Sequence, residues 1–305
     1  MDRSEDNSVN KEFYMSQKDT SGGTEVRRWN AESALLNQGN FEFAVIMLGG
    51  VLLSFNSGLL NGLCLLSNKV TVTHISGDVS NAALGLGNED FSSVALYLDI
   101  SFFFILGSSS TGFMIAKHSF QKEFQHGPSF LLGTILLLAA WCVALIFKGS
   151  RCFYYICAIA SGVQNAMGTR FSGSIIRTTH VTGTATDIGI ILGHILKGQV
   201  QERWKLSVLL PLFAGFFAGS YTSVFTHRYL GFHSVLINVF LFAAVGIAYV
   251  RGVSLQLSIP FWRVLTDNLE EPVVTSANVI SYSSLVEANK ELFDTYQIEA
   301  MSNGS

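Results

Sequence analysis

The sequence predicts an all-α polytopic membrane protein. It would be a bundle of six transmembrane helices in two repeats of about three, with a broken or re-entrant helix in each. Three observations predict it. Charged residues make up 13% of the 305 residues, against about 25% in an average soluble domain. They are also unevenly placed: residues 1–42 carry 13, residues 251–305 carry 10, and the 208 residues between carry 18. Finally, one nine-residue pattern occurs twice inside this apolar middle. The net charge of -3 argues against a nucleic-acid partner, and four Cys exclude a disulfide scaffold.

The chain divides into an N-tail (1–42), a first repeat (43–147), a second repeat (151–250) and a C-tail (251–305). The N-tail is rich in Ser, Asn, Glu and Lys and is expected to be disordered. It shows no basic segment followed by an apolar one, so no cleaved leader is expected. Six apolar runs are long enough to cross a bilayer. They are Phe43–Leu66, interrupted by Ser54, Asn56, Ser57 and Asn61, then Phe91–Ala116 with Asp99 near its start, and Phe130–Phe147. Cys152–Met167, which is short, Leu206–Thr226 with Pro211 inside it, and Val235–Val250 follow. A soluble core does not easily cover six such helices on all faces.

Residues 70–87 and 174–196 are neither clean spans nor ordinary loops. Either can be a re-entrant helix or a full crossing, so seven or eight spans stay open. With six, the N-tail, the 117–128 loop, the 168–205 connection and the C-tail share one side. That side holds 15 of the 19 Lys and Arg, which places both termini in the cytoplasm or its equivalent. Without the tails the count is seven against four, in the same direction. In the C-tail, Leu255–Leu265 suits a membrane interface and Leu285–Ile298 a short surface helix. The sequon at Asn303 does not meet the lumen on this topology.

The repeated pattern reads Thr73-His-Ile-Ser-Gly-Asp-Val-Ser-Asn81 and Thr179-His-Val-Thr-Gly-Thr-Ala-Thr-Asp187. Upstream, Asn61-Gly62 answers Asn165-Ala166. Downstream, Gly107 and Gly112 answer Gly215 and Gly219. Such matching flanks predict an internal duplication. Units of three spans would be inverted about an axis in the membrane plane, and units of four would be parallel.

The polar residues of this middle are the candidate substrate or ion pathway: Asn61, Thr73, His74, Ser76, Asp78, Gln164, Asn165, Arg177, His180, Thr182, Thr184 and Asp187. Gly77 and Gly183 are expected to break the helix or allow close approach. Ser76, Thr182 and Thr73 suit caps of half-helices, whose free N–H groups and dipole ends attract an anion or polar solute. Two such ends converging near the midplane would form a site. The plainer alternative is that Ser, Thr and Gly simply pack helices together. Ionisable residues in apolar sequence should pair or face a cavity. At helical spacing Arg177, His180, Thr184 and Asp187 form one polar stripe, and an Arg177–Asp187 bridge is the structural alternative. His74 and His180 suit proton transfer or hydrogen-bonded packing. Two His and two Asp do not make a metal site, since nothing fixes their convergence. No phosphate loop, dinucleotide fingerprint, zinc motif or nucleophile elbow is present. No enzyme activity, catalytic residue, metal or cofactor is therefore expected.

These residues resemble the YoaK-like family of small polytopic membrane proteins, known chiefly as a domain of unknown function. The resemblance rests on Asn61-Gly62 followed by Val72-Thr-His-Ile-Ser-Gly-Asp78. It rests more strongly on Gly162-Val-Gln-Asn-Ala166 followed by Arg177-Thr-Thr-His-Val-Thr-Gly-Thr-Ala-Thr-Asp-Ile-Gly189. It covers about residues 43–250. The family pattern has Asp-Ala where this chain has Asn61-Gly62, and Asn where it has Asp78. A proton or cation role tied to that first Asp is thereby put in doubt.

The resulting expectation is a transporter or channel for a small polar or anionic solute, bound near the midplane between the two motifs. A non-transporting accessory or assembly subunit of a membrane complex is the alternative. The expected partners are the lipid bilayer, a small polar solute or ion, and a second copy or membrane-complex partner through the tails, with no nucleic acid.

Overall fold

The computed structural model describes residues 14–18, 24–28, 40–115, 126–147, 149–171, 176–257 and 260–266. Two short strands, β1 (Tyr14–Lys18) and β2 (Thr24–Arg28), pair antiparallel with Ser16 opposite Val26. Residues 1–13, 19–23, 29–39 and 267–305, including the surface helix expected over 285–298, lie outside the described residues. From residue 40 the described chain is helical, as expected.

Helix α1 (Asn40–Asn68) is followed by the short α2 (Ile75–Gly87) and by α3 (Phe91–Met114) and α4 (His126–Ile146). The order then repeats. Helix α5 (Cys152–Phe171) precedes the short α6 (Val181–Leu196), and α7 (Leu206–Leu230) and α8 (Val235–Leu257) follow. A last turn, α9 (Phe261–Thr266), packs on α4 and α8 with Val264 buried. The start of the C-tail is thus part of the bundle, with Trp262 exposed on its outside.

Local chemistry sets the boundaries. Lys69 adopts a left-handed φ of 55° and ends α1. The Asp90 side chain accepts from Ser93 N at 3.2 Å and from Ser93 Oγ at 2.6 Å, capping α3. Those bonds hold its carboxyl below the usual range. Gly231, at φ +56°, turns α7 into α8.

Four stretches are long and apolar enough to cross a membrane: Ala44–Asn68, Phe91–Met114, His126–Ile146 and Arg203–Leu255. The last contains both α7 and α8. Of the six expected spans, the one at Cys152–Met167 is not among these stretches. Helix α5 runs through the middle of the bundle, against α3, α4 and α1, with Cys157, Ala158 and Val163 fully buried. A helix covered by protein has no need to be as apolar as one facing lipid. Apolar side chains instead cover the outer surface, such as Phe113 on α3 and Phe240 on α8.

Contacts fix the helix directions. Helices α1 and α7 run parallel, with Gly215 against Val51, Gly219 against Phe55 and Gly62 against Ser223. So do α3 and α5, with Tyr155 bonded to Asp99 and Thr111 to Val163. Helices α4 and α8 are antiparallel, pairing Phe130 with Tyr249 and Trp141 with His233. Helix α8 also runs antiparallel to α1, with Gly49 beside Val245 and Asn56 bonded to Asn238, and a short turn makes α4–α5 antiparallel. Therefore α1, α4 and α7 run one way, and α3, α5 and α8 the other. Helix α1 ends where α3 begins, so α2 leaves and returns at one end of the bundle. Helix α5 ends where α7 begins, so α6 leaves and returns at the opposite end.

Two crossings are built alike. Gly58 abuts the Phe216 carbonyl and Gly219 the Phe55 carbonyl, and Ser220 Oγ donates to the Gly58 carbonyl at 3.2 Å. Gly162 abuts the Phe104 carbonyl and Gly107 the Ile159 carbonyl, and Ser108 Oγ donates to the Gly162 carbonyl at 3.2 Å. A Cβ at any of these four glycines would fall on the neighbouring backbone. Gly112, expected to belong to this set, has open space beside it, because it lies on the other face of α3.

Candidate functional site

The polar residues of α1 point inward and meet α5. Asn56 Nδ2 donates to Gln164 Oε1 at 3.0 Å. Gln164 Nε2 donates to the Leu53 carbonyl at 2.6 Å, to Ser57 Oγ at 2.7 Å and towards Thr178 Oγ1 at 3.3 Å. Asn238 of α8 donates to the Asn56 carbonyl at 2.9 Å and to Asn56 Oδ1 at 3.0 Å. Ser54 Oγ donates to the Leu212 carbonyl of α7 at 2.8 Å. Side-chain bonds thus join α1, α5, α7, α8 and the segment before α6, and every member of the network is buried.

The network lies deep. Asn56 is twelve residues before the end of α1, and Gln164 is twelve residues after the start of α5. Helical rise puts both about 18 Å from that end of the bundle. Buried amides at such a depth are held by one another, since lipid offers no partners. Among the described residues, Asn238 Oδ1, Asn165 Oδ1 and Ser161 Oγ are buried without a hydrogen-bond partner.

The two motifs flank this core from opposite ends. After α1, the chain folds back far enough for Asn61 Oδ1 to accept from Val72 N at 3.1 Å and Thr73 N at 3.3 Å. After α5, the segment carrying Thr178 folds back to Gln164 and Gly168. Each short helix then starts with a histidine. His74 and His180 occupy the N-cap positions without a side-chain cap bond. Each ring lies over the first turn, against Gly77 or Gly183. The motif glycine therefore leaves room for the ring. It was expected to break the helix, but both glycines sit within the first turn and the break lies upstream of them. The caps expected from Ser76 and Thr182 do not form either. Ser76 Oγ meets His74 Nε2 at 3.1 Å, and Thr182 is exposed.

Of the other candidates, Asn61, Thr73, Asp78 and Thr184 are buried, and Arg177 and Asn165 half-buried. Asp78 Oδ1 accepts from Thr71 Oγ1 at 2.6 Å. Thr184 Oγ1 donates to the His180 carbonyl at 3.0 Å. His74, Ser76, His180 and Asp187 are exposed. Arg177 lies beside the first turn of α6, 3.4 Å from the position a Gly183 Cβ would take, but no ion pair joins it to Asp187. Among the described residues, no hydrogen bond or ion pair links the first motif to the second, and no group of three His, Cys, Asp or Glu is placed to hold a metal. Sequence reasoning did not assign Ser54, Asn56, Ser57, Thr178 or Asn238 to the site. The signal for Asn238 was its position as the lone amide in the run Val235–Phe242.

The network and both motifs fall within residues 49–248, the segment matched by the model of the family described as proteins of unknown function, DUF1275. The chain belongs to the DUF1275 family. This agrees with the resemblance read from the two motifs and with its limits at about residues 43 and 250. No curated protein and no solved structure matches the chain. The DUF1275 segment runs from within α1 to within α8, so it contains the paired crossings and leaves both tails out.

Proposed function

We propose that this DUF1275 protein carries a small polar or anionic solute across a membrane, through six crossings formed by two inverted repeats of three. The observation that carries this reading is the buried Asn238–Asn56–Gln164 amide chain with its open acceptors, near the middle of the bundle. Polar groups inside a membrane helix bundle are expensive to bury, and those with unsatisfied atoms suit a polar pathway.

The inverted arrangement draws support from the two similar crossings and from the helix directions. Helices α1 and α5, which carry equivalent segments, run in opposite directions. The short helices sit at opposite ends. By helical rise α2 is about 20 Å long and α6 about 24 Å, too short for a ~30 Å layer. They fit re-entrant segments reaching inward from either side. Inverted repeats that meet at the midplane are a common architecture for alternating access. The charge count supports putting both termini on the cytoplasmic or equivalent side.

The test is flux into proteoliposomes across a panel of small anions and amino acids. Wild type should move at least one of them faster than protein-free liposomes, and Gln164→Leu should slow that flux. Asp187→Asn, on an exposed face of α6, measures whether the second motif takes part. Equal flux with and without protein across the panel contradicts transport.

An accessory subunit is the second reading. It is favoured by α6, which packs on α7 and the turn before it and leaves Ile190, Leu192 and Leu196 exposed.

A further inference from the structure

The two segments that fold back along their helices differ in charge at equivalent places. In the alignment of the motifs, Asp78 of the first corresponds to Thr184 of the second, and Thr71 to Arg177. Thr184 is satisfied by its bond to the His180 carbonyl. Asp78 is not. It is fully buried, Thr71 donates to Oδ1, and Oδ2 is buried without a partner among the described residues. Thr73 is also buried, and its Oγ1 has no partner. Asn61 holds this stretch of backbone in place through the Val72 and Thr73 amides. Among the described residues no ion pair reaches Asp78, and the nearby Lys69 and His74 are exposed.

A buried carboxylate oxygen in the first turn of α2 and a buried hydroxyl on the folded-back segment before it, both unpartnered among the described residues, ask for a hard cation. Such ions take carboxylate, hydroxyl and carbonyl oxygens. One carboxylate balances one positive charge, whereas divalent sites usually gather more. Backbone carbonyls left free at a helix C-terminus, as at residues 69–74 after α1, suit a cation as well. We propose that the first motif binds a monovalent cation of sodium size, with Asp78 Oδ2 and Thr73 Oγ1 among its ligands. The inference deepens the transport reading by naming a coupling ion, and it is tested without flux.

The experiment uses the full chain in lipid nanodiscs and measures equilibrium binding of radioactive sodium, with lithium and potassium as competitors and a large organic cation to hold ionic strength constant. Wild type should bind sodium saturably. Asp78→Asn, which keeps an acceptor for Thr71, should lose at least about tenfold in affinity, and Thr73→Val should also weaken binding. Glu202→Gln, which removes a carboxylate in the turn before α7, should bind as wild type does. Size-exclusion profiles and sodium-free thermal midpoints identify a variant that fails to fold, and in that case Asp78→Glu takes its place with an altered ion preference expected. Two results overturn the proposal: no saturable binding of sodium, lithium or potassium to wild type, or unchanged binding by folded Asp78→Asn. Sodium binding without flux would leave the site standing and remove the transport reading. Flux without sodium binding would do the reverse.

Discussion

Asn56 of α1 donates its side-chain amide to Gln164 of α5 at 3.0 Å, and both residues are buried. The bond ties the first helix of one half to the first helix of the other.

Replacing Gln164 should therefore be costly. Gln164→Leu leaves the Asn56 amide and the Ser57 hydroxyl facing an apolar side chain. Each buried polar group stripped of its partner costs about 1–3 kcal/mol. A lower thermal midpoint in detergent is expected, larger than for Gln199→Leu on the exposed connection after α6. Equal midpoints would mean that the network contributes no stability.

The glycine crossings predict a sharp positional contrast. At Gly58 a Cβ falls on the Phe216 backbone, so Gly58→Ala must push α1 away from α7. Overpacking of this kind costs about 1–3 kcal/mol. Gly162→Ala should behave the same way at the other crossing. Gly112→Ala meets nothing within 4 Å and should gain up to about 1 kcal/mol from helix propensity. Unfolding titrations in mixed micelles would rank the three variants.

Each motif histidine should be coupled to its glycine. A Cβ on Gly77 would lie 2.6 Å from His74 Nδ1. Gly77→Ala should destabilise the wild-type background and be nearly neutral alongside His74→Ala. The double-mutant cycle should give a coupling of about 0.5–3 kcal/mol, as for other residues in contact. Additive effects would place the ring elsewhere.

Much of the fold was legible as apolar runs, because lipid-facing helices must be apolar along their whole length. Helices α1, α3, α4, α7 and α8 follow from that. Helix α5 is a short apolar run in the sequence because an inner helix carries polar residues such as Gln164 towards its neighbours. Helices α2 and α6 were ambiguous for a simpler reason, since 13 to 16 residues suit either a short helix or part of a span. The site was less legible. Ser54, Asn56, Ser57 and Asn61 mark the polar face of α1 in the sequence, but nothing in an apolar run says which helix that face meets. Likewise Gly107 and Gly112 look alike in sequence, yet only Gly107 lies in a crossing.

The inverted arrangement is tested most directly by cysteine accessibility at the ends of the two short helices. Asn88 follows α2 and Gln199 follows α6, and both are exposed. With the exposed Cys142 and Cys152 replaced by serine, Asn88→Cys and Gln199→Cys can be labelled in sealed membranes with an impermeant maleimide. Two inverted repeats predict labelling from opposite sides of the membrane. Labelling of both positions from one side would contradict the inversion and favour parallel repeats with four crossings each.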